Sequence, residues 1–283
     1  MRRPRWAVRR PAAGRATAFS ARRRAARRWK GLRMPTPAEV WTRRAHRFAF
    51  LGNSLLAPMA ADAAFGLDEA FWDEFAAGEV EGPSVRRTLE RLKAYARAEQ
   101  VDGREIGEAV RRVNVEYARL FIGPPKPAAP PWETMYAQAG QVGEIGFGRA
   151  TVAMQDLLAE AGLVLANENN QYADHLGIEL LYLAELCHCC AAGADGGASG
   201  VAGDADGGSS AAAVATETRE DAAAAVAGAA ADEPLGCEER LHAFVREHPA
   251  AWAPAFRDRV AEAAPDGYFA PLAALVCDLL EEL

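Results

Sequence analysis

Asp174 and His175 are adjacent in the run Tyr172-Ala-Asp-His-Leu-Gly-Ile-Glu-Leu-Leu-Tyr-Leu183, and they are the residue types of a general-base pair in which an acid orients an imidazole. Their spacing argues against that chemistry. Neighbouring side chains on a helix diverge by about 100 degrees, and no Gly-x-Ser-x-Gly turn supplies a nucleophile. Two other roles suit the pair and are mutually compatible: Asp174 capping the helix that follows while His175 packs against a proline-rich segment, or both binding a ligand directly. Further along, His175, Glu179 and Tyr182 fall at i, i+4 and i+7, beside a stripe of Leu176, Leu180 and Leu183. A carboxylate flanked by aromatic rings suits an arginine-bearing peptide, since guanidinium pairs with carboxylate and stacks on rings. The same pattern also describes an ordinary half-buried helix face. Cys187-His188-Cys189-Cys190 has the ligand types of a zinc site, but on a helix only Cys187 and Cys190 share a face. Closing such a site would require Cys237 and His242 to fold back; the alternative is small buried thiols at the end of a core helix. Gly143-Glu-Ile-Gly-Phe-Gly148 lacks the glycine order of a dinucleotide turn, and no Gly-Lys-Ser/Thr phosphate loop occurs.

The elements that must position these residues are helices. Val110, Val113, Tyr117, Leu120 and Phe121 recur at helical spacing, and Gly123-Pro124 stops the run because proline has no amide to donate. Pro124, Pro125, Pro127, Pro130 and Pro131 then stiffen an extended strap that ends in Trp132 and Tyr136, a shape suited to holding a peptide. Helices are expected over 38–60, 68–77, 83–98, 103–122, 141–162, 238–247, 254–263 and 268–282, along with the one that follows Asp174. Alternating strand patterns of useful length are absent, which favours an all-α domain.

Half of the 283 residues are apolar, enough for a sizeable core. The formal charge of −7 hides an asymmetry: residues 1–33 hold twelve Arg and one Lys without an acid, which leaves −20 for residues 34–283. That body repels nucleic acid and suits a cationic partner. The basic extension 1–33 is expected to be disordered. It reads as a basic arm for nucleic acid or an anionic surface, as a transit-like segment, or as sequence ahead of a translation start at Met34. Residues 191–235, with 18 Ala and 8 Gly, read as a flexible insertion interrupting a domain that spans 34–283. Five cysteines and no export signal point to a reducing, cytoplasmic setting with free thiols. No apolar run approaching the roughly 18 residues of a membrane span is expected.

Three separated motifs resemble those of the TorD/DmsD family of cytoplasmic chaperones that mature molybdenum oxidoreductases. The first is Glu116-Tyr-x-x-Leu-Phe-x-Gly-Pro124 with Pro130-Pro-Trp-Glu-Thr-x-Tyr136. The second is the Asp174-His175-x-x-x-Glu179-Leu helix, and the third comprises Phe244, His248, Trp252, Pro254 and Phe256. Tyr172 stands where the family usually has proline, and Thr134, which keeps a hydroxyl, where it usually has serine. The resemblance implies a single helical-bundle domain without catalysis, cofactor or required metal, monomeric or dimeric. It would bind the twin-arginine signal peptide and the body of a molybdopterin oxidoreductase, with neither nucleic acid nor stable membrane insertion. It also implies a peptide site made of Tyr117, Phe121, Gly123, Pro124, Trp132, Glu133, Tyr136, Asp174, His175 and Glu179. In that site aromatics meet the apolar part of the peptide, acids meet its arginines or cap the helix, and Gly123-Pro124 shapes the turn. A helical adaptor for another basic or apolar peptide, and a metal-binding protein using the Cys187–Cys190 cluster, are the alternatives.

Overall fold

Thr36 begins the first helix by a reciprocal cap: its hydroxyl accepts from the amide of Glu39 at 3.2 Å, and the Glu39 carboxylate accepts from the amide of Thr36 at 2.8 Å. The computed structural model describes residues 35–77, 82–100, 105–123, 125–136, 148–165, 171–197 and 236–283. Expected features within 1–33, most of the 191–235 insertion, and Pro124 lie outside the described residues. Helix α1, Pro37–Leu56, turns Trp41, Ala45, Phe48, Leu51 and Leu55 inward at helical spacing. Against them lies α6, Leu176–Gly197, which is apolar on nearly all sides. The two backbones come close at Gly52 and Gly177, where a Cβ on either residue would stand 2.7 Å from the other's carbonyl oxygen. Larger side chains there would pry the two central helices apart.

A second layer forms around α9, Phe269–Glu281, whose Leu272, Leu275, Val276 and Leu279 are buried. Packed on it are α3, Pro83–Gln100, through Val85, Leu89 and Leu92, and α8, Pro249–Ala263, through Trp252, Phe256 and Val260. Helix α2, Glu69–Ala76, is capped by Asp68 and buries Trp72 and Phe75 in a cluster with Phe50 and Phe71. Helices α4, Ile106–Tyr117, α5, Arg149–Glu160, and α7, Cys237–Glu247, complete the bundle. The Glu116 carboxylate at the end of α4 accepts from the amides of Tyr268 and Phe269, at 2.9 and 3.0 Å, and so caps α9 from a distance. Burial outweighs these two bonds and raises the carboxyl's pKa.

The all-α class expected from the spacing is the observed one: among the described residues no strand forms. Several boundaries differ, each for a local reason. Helix α1 ends at Leu56, not 60, because Pro58 supplies no amide. Helix α8 starts at Pro249 and carries Pro254 inside it, so the helix start expected at 254 moves five residues earlier, to another proline. Helix α6 continues to Gly197, beyond residue 190, with Ala191 buried. The expectation that no stretch would match a membrane span needs correcting: Leu176–Ala194 has a mean hydropathy of 1.3 over 19 residues. With 67% of it buried inside the protein, that hydropathy is that of a core helix.

Candidate functional site

Helix α4 passes into a single π turn, Ala118–Ile122, closed by the amide of Gly123 on the carbonyl of Ala118 at 2.8 Å. Gly123 has a φ of 80° there, and a Cβ on it would meet the Lys126 carbonyl carbon at 2.5 Å, so only glycine fits the turn. The chain then doubles back, and Ala128 and Ala129 donate to the carbonyls of Arg119 and Leu120 at 3.2 and 2.8 Å. The proline strap next meets the start of α6 in an isolated antiparallel bridge between Trp132 and His175. Leu176 donates to Pro131 and Glu133 to Asp174, both at 2.9 Å. Proline suits position 131, where only its carbonyl is used.

Asp174 is fully buried and serves as the knot of this junction. Its carboxylate accepts from the amide of Thr134 at 3.1 Å, from the Thr134 hydroxyl, and from the Thr151 hydroxyl of α5 at 2.9 Å. The cap expected of Asp174 is made instead by its neighbour. Nδ1 of His175 accepts from the amide of Gly177 at 2.9 Å, which leaves the proton on Nε2. Burial pushes the His175 pKa down to about 3, so the ring is neutral at physiological pH. Because the two side chains serve different partners, no general-base dyad forms. His175 stands edge-on to Trp132, with ring centroids 5.7 Å apart.

Behind the strap lies a carboxyl pair. Glu179 is fully buried, accepts from Trp252 Nε1 at 3.1 Å, and faces Glu133, which is held by His248 Nδ1 at 3.0 Å. Desolvation, then the Glu133 charge, raise the Glu179 pKa well above the carboxylate range. Its Oε1 has no donor among the described residues; protonated, it becomes a donor itself, directed at Glu133. Tyr136 stacks on Trp252 at 5.2 Å under the guanidinium of Arg259. Phe256 continues the row to Phe121 and Phe269, and Tyr117 packs against both of these. Tyr117 donates to the carbonyl of Leu55 at 3.2 Å. Burial pushes the phenols of Tyr117 and Tyr136 up to about 12.

On the other side of the strap a cleft of about 310 Å³ opens between Leu56 and Pro58 after α1, Tyr117, Phe121 and Ile122 of α4 and its π turn, Trp132, and Gln171 with His175. Four expected site residues therefore meet here: Tyr117, Phe121, Trp132 and His175. Glu133, Tyr136, Asp174 and Glu179 lie in the layer behind and hold the strap, while Gly123 sets its turn. Leu56, Pro58, Ile122 and Gln171 were not anticipated, nor was the role of Thr151. Only Pro58 carried a local signal, as a helix stop beside an apolar face. The supposed polar stripe is buried as well, with Tyr182 edge-on to Phe244. At the far end of α6, Cys187 and Cys190 are buried and Cys189 exposed, and burial pushes the Cys190 thiol up to about 11. Among the described residues no three His, Cys, Asp or Glu side chains gather as a metal site.

Residues 81–208 match the family model of the nitrate reductase delta subunit. That span takes in the strap and the Asp174-His175 junction. The chain is also 31% identical over 78 residues to a probable Tat proofreading chaperone DmsD of Haemophilus influenzae, covering 26% of this chain and 37% of that protein. It thus spans less than two fifths of that relative's length. With an all-helical fold and a strap seated on the Asp174-His175 helix start, the chain is similar over these stretches to the nitrate reductase delta subunit family and to that Tat proofreading chaperone.

Proposed function

We propose that this protein binds the twin-arginine signal peptide of a molybdopterin-dependent oxidoreductase in the cytoplasm and assists cofactor insertion before export. The observation that carries this reading is the cleft at the strap–α6 junction, where Trp132 and His175 face Ile122 and Gln171. Trp132 is half-buried, and its ring offers a face on which a guanidinium can stack. His175, being neutral, adds no repelling charge. Tyr117 and Phe121 supply an apolar floor, while Glu133, in the layer behind the strap, holds it through His248. Asp174, Glu179 and Tyr136 contribute by fixing the strap, and Gly123 by shaping its start. The Haemophilus influenzae relative is named as a Tat proofreading chaperone, which supports the same class of partner.

The test is a titration of the full chain with a peptide bearing two adjacent arginines and an apolar stretch, against the same peptide with two lysines. Micromolar or tighter binding, about −8 kcal/mol, is expected for the arginine form. The lysine form should bind about tenfold more weakly, because ammonium lacks the planar stacking face of guanidinium. Trp132→Ala should remove the difference while leaving the helical circular dichroism intact. Equal affinities in the wild-type chain would make it an adaptor for basic or apolar peptides in general.

A further inference from the structure

Three of the five cysteines gather where α6 packs against α7. Tyr182 of α6 and Phe244 of α7 meet edge-on, with ring centroids 4.7 Å apart. From that contact α6 runs on eight residues to Cys190 and α7 runs back seven to Cys237, about 12 and about 10.5 Å at the helical rise. Leu186 and Leu241 are buried on the turn between. Burial raises the Cys190 thiol, and the charges of Cys237 and Glu238 add to it, which places the first turn of α7 beside Cys190. The two helices therefore run antiparallel, and the two nearly equal paths end together. Cys190 is 4% exposed and belongs to the core; Cys237, the first residue of α7, is half-buried, and Cys189 is exposed.

Helix α7 is also the strut behind the strap. Phe244 stacks on His248 at 5.2 Å, and His248 Nδ1 holds Glu133 at 3.0 Å. Cys237, Leu241, Phe244 and His248 fall at i, i+4, i+7 and i+11, one row along the face that meets α6 and the strap. A helix of 11 residues moves as a rigid element, so a constraint on its first turn is felt at its last.

We propose that Cys190 and Cys237 are a redox pair, which hydrogen peroxide oxidises to a disulfide that staples α7 to α6 and steadies the strap from behind. Cys237 is the reachable thiol and reacts first: its sulfur bonds to one peroxide oxygen, the O–O bond breaks, and the other oxygen leaves as water with the thiol proton. The Cys190 sulfur then attacks the sulfenic acid, forming the S–S bond and expelling a second water that carries the Cys190 proton. Two electrons pass from the thiols to the peroxide. In reducing surroundings the pair rests as thiols, as it stands in this structure, and bonds only under oxidant. The inference is independent of which peptide the cleft holds.

The experiment exposes the reduced full chain to hydrogen peroxide, digests it without reductant and maps the products by mass spectrometry. A Cys190–Cys237 cross-link is expected, with a melting temperature about 5–10 °C higher, because the bond joins residues 47 positions apart and restricts the unfolded chain. Dithiothreitol should reverse the rise, which separates it from methionine oxidation. Cys189→Ser should keep both effects and Cys237→Ser should lose both. Hydrogen exchange at the strap amides of Ala128, Ala129 and Glu133 should slow on oxidation of the wild type and not of Cys237→Ser. A Cys189–Cys237 link, over-oxidation of Cys237 with no link, or a Cys190–Cys237 link that leaves strap exchange unchanged would each overturn the proposal.

Discussion

His175 and Glu179 sit one helical turn apart, and burial drives their protonation in opposite directions. His175 in the folded protein titrates near 3, below the 6.5 of an unfolded histidine. Above pH 6.5 it is neutral in both states and its contribution to stability is complete. Between 6.5 and 3 the unfolded chain takes up a proton that the folded one refuses, so stability falls as the solution is acidified. Glu179 is held above its ordinary 4.5, so the folded state keeps a proton that the unfolded chain releases. Its contribution is complete below 4.5 and is lost as pH rises toward the folded value. Urea unfolding followed from about pH 4 to about pH 9 should therefore show stability falling at both ends. His175→Asn, which keeps a capping acceptor without titrating, should flatten the acid limb; Glu179→Gln, which mimics the protonated acid, should flatten the alkaline limb. An unchanged alkaline limb in Glu179→Gln would mean that the carboxyl pair with Glu133 is not the group responsible.

At the scale of elements, the strap depends on one backbone conformation and one buried acid. Gly123 turns the chain out of the π turn at a φ of 80°, with the carbonyl carbon of Lys126 where a side chain would begin. Gly123→Ala should cost roughly 1–3 kcal/mol, since both the conformation and the space resist a Cβ. The strap would have to shift to admit the methyl group. The variant should thus lose leader affinity along with stability, and a crystal structure or the emission of Trp132 would report the movement. Normal affinity with a lowered melting temperature would separate the turn from the site. The proline run signalled this element in the sequence, because proline restricts φ without help from the rest of the chain. Its partner was harder to foresee. Thr151 reaches Asp174 from α5, and nothing in the spacing of either helix announces that contact.

Across the whole molecule, charge is the property most readily tested. Residues 34–283 carry a formal −20, and the cationic leader proposed as ligand would be drawn toward them over distances that salt screens. Raising ionic strength from about 0.05 to about 0.5 M should slow association roughly tenfold or more while changing dissociation less, as stopped-flow mixing with a labelled leader would show. Association indifferent to salt would shift the weight of recognition to the apolar lining of the cleft. Part of that acidity is spent inside. Glu116, Asp174 and Glu179 are hydrogen-bonded within the bundle, so the count of acids overstates what a partner meets.

The sequence by itself determined the helical class, most helix positions and the proline strap. These follow from local causes: periodic apolar residues, proline's missing amide and glycine's freedom at φ above zero. That the strap and the Asp174-His175 helix belong to one motif set is what the family resemblance implied. Tertiary structure alone decided what each site residue does. Asp174 became a knot between strap and α5 and His175 the cap, and the expected polar stripe turned inward, because desolvation and hydrogen-bond partners come from elements distant in the chain. The cleft beside Pro58 belongs to the same class of fact: its walls come from the end of α1, a π turn, the strap and the start of α6, and no run of residues contains them together.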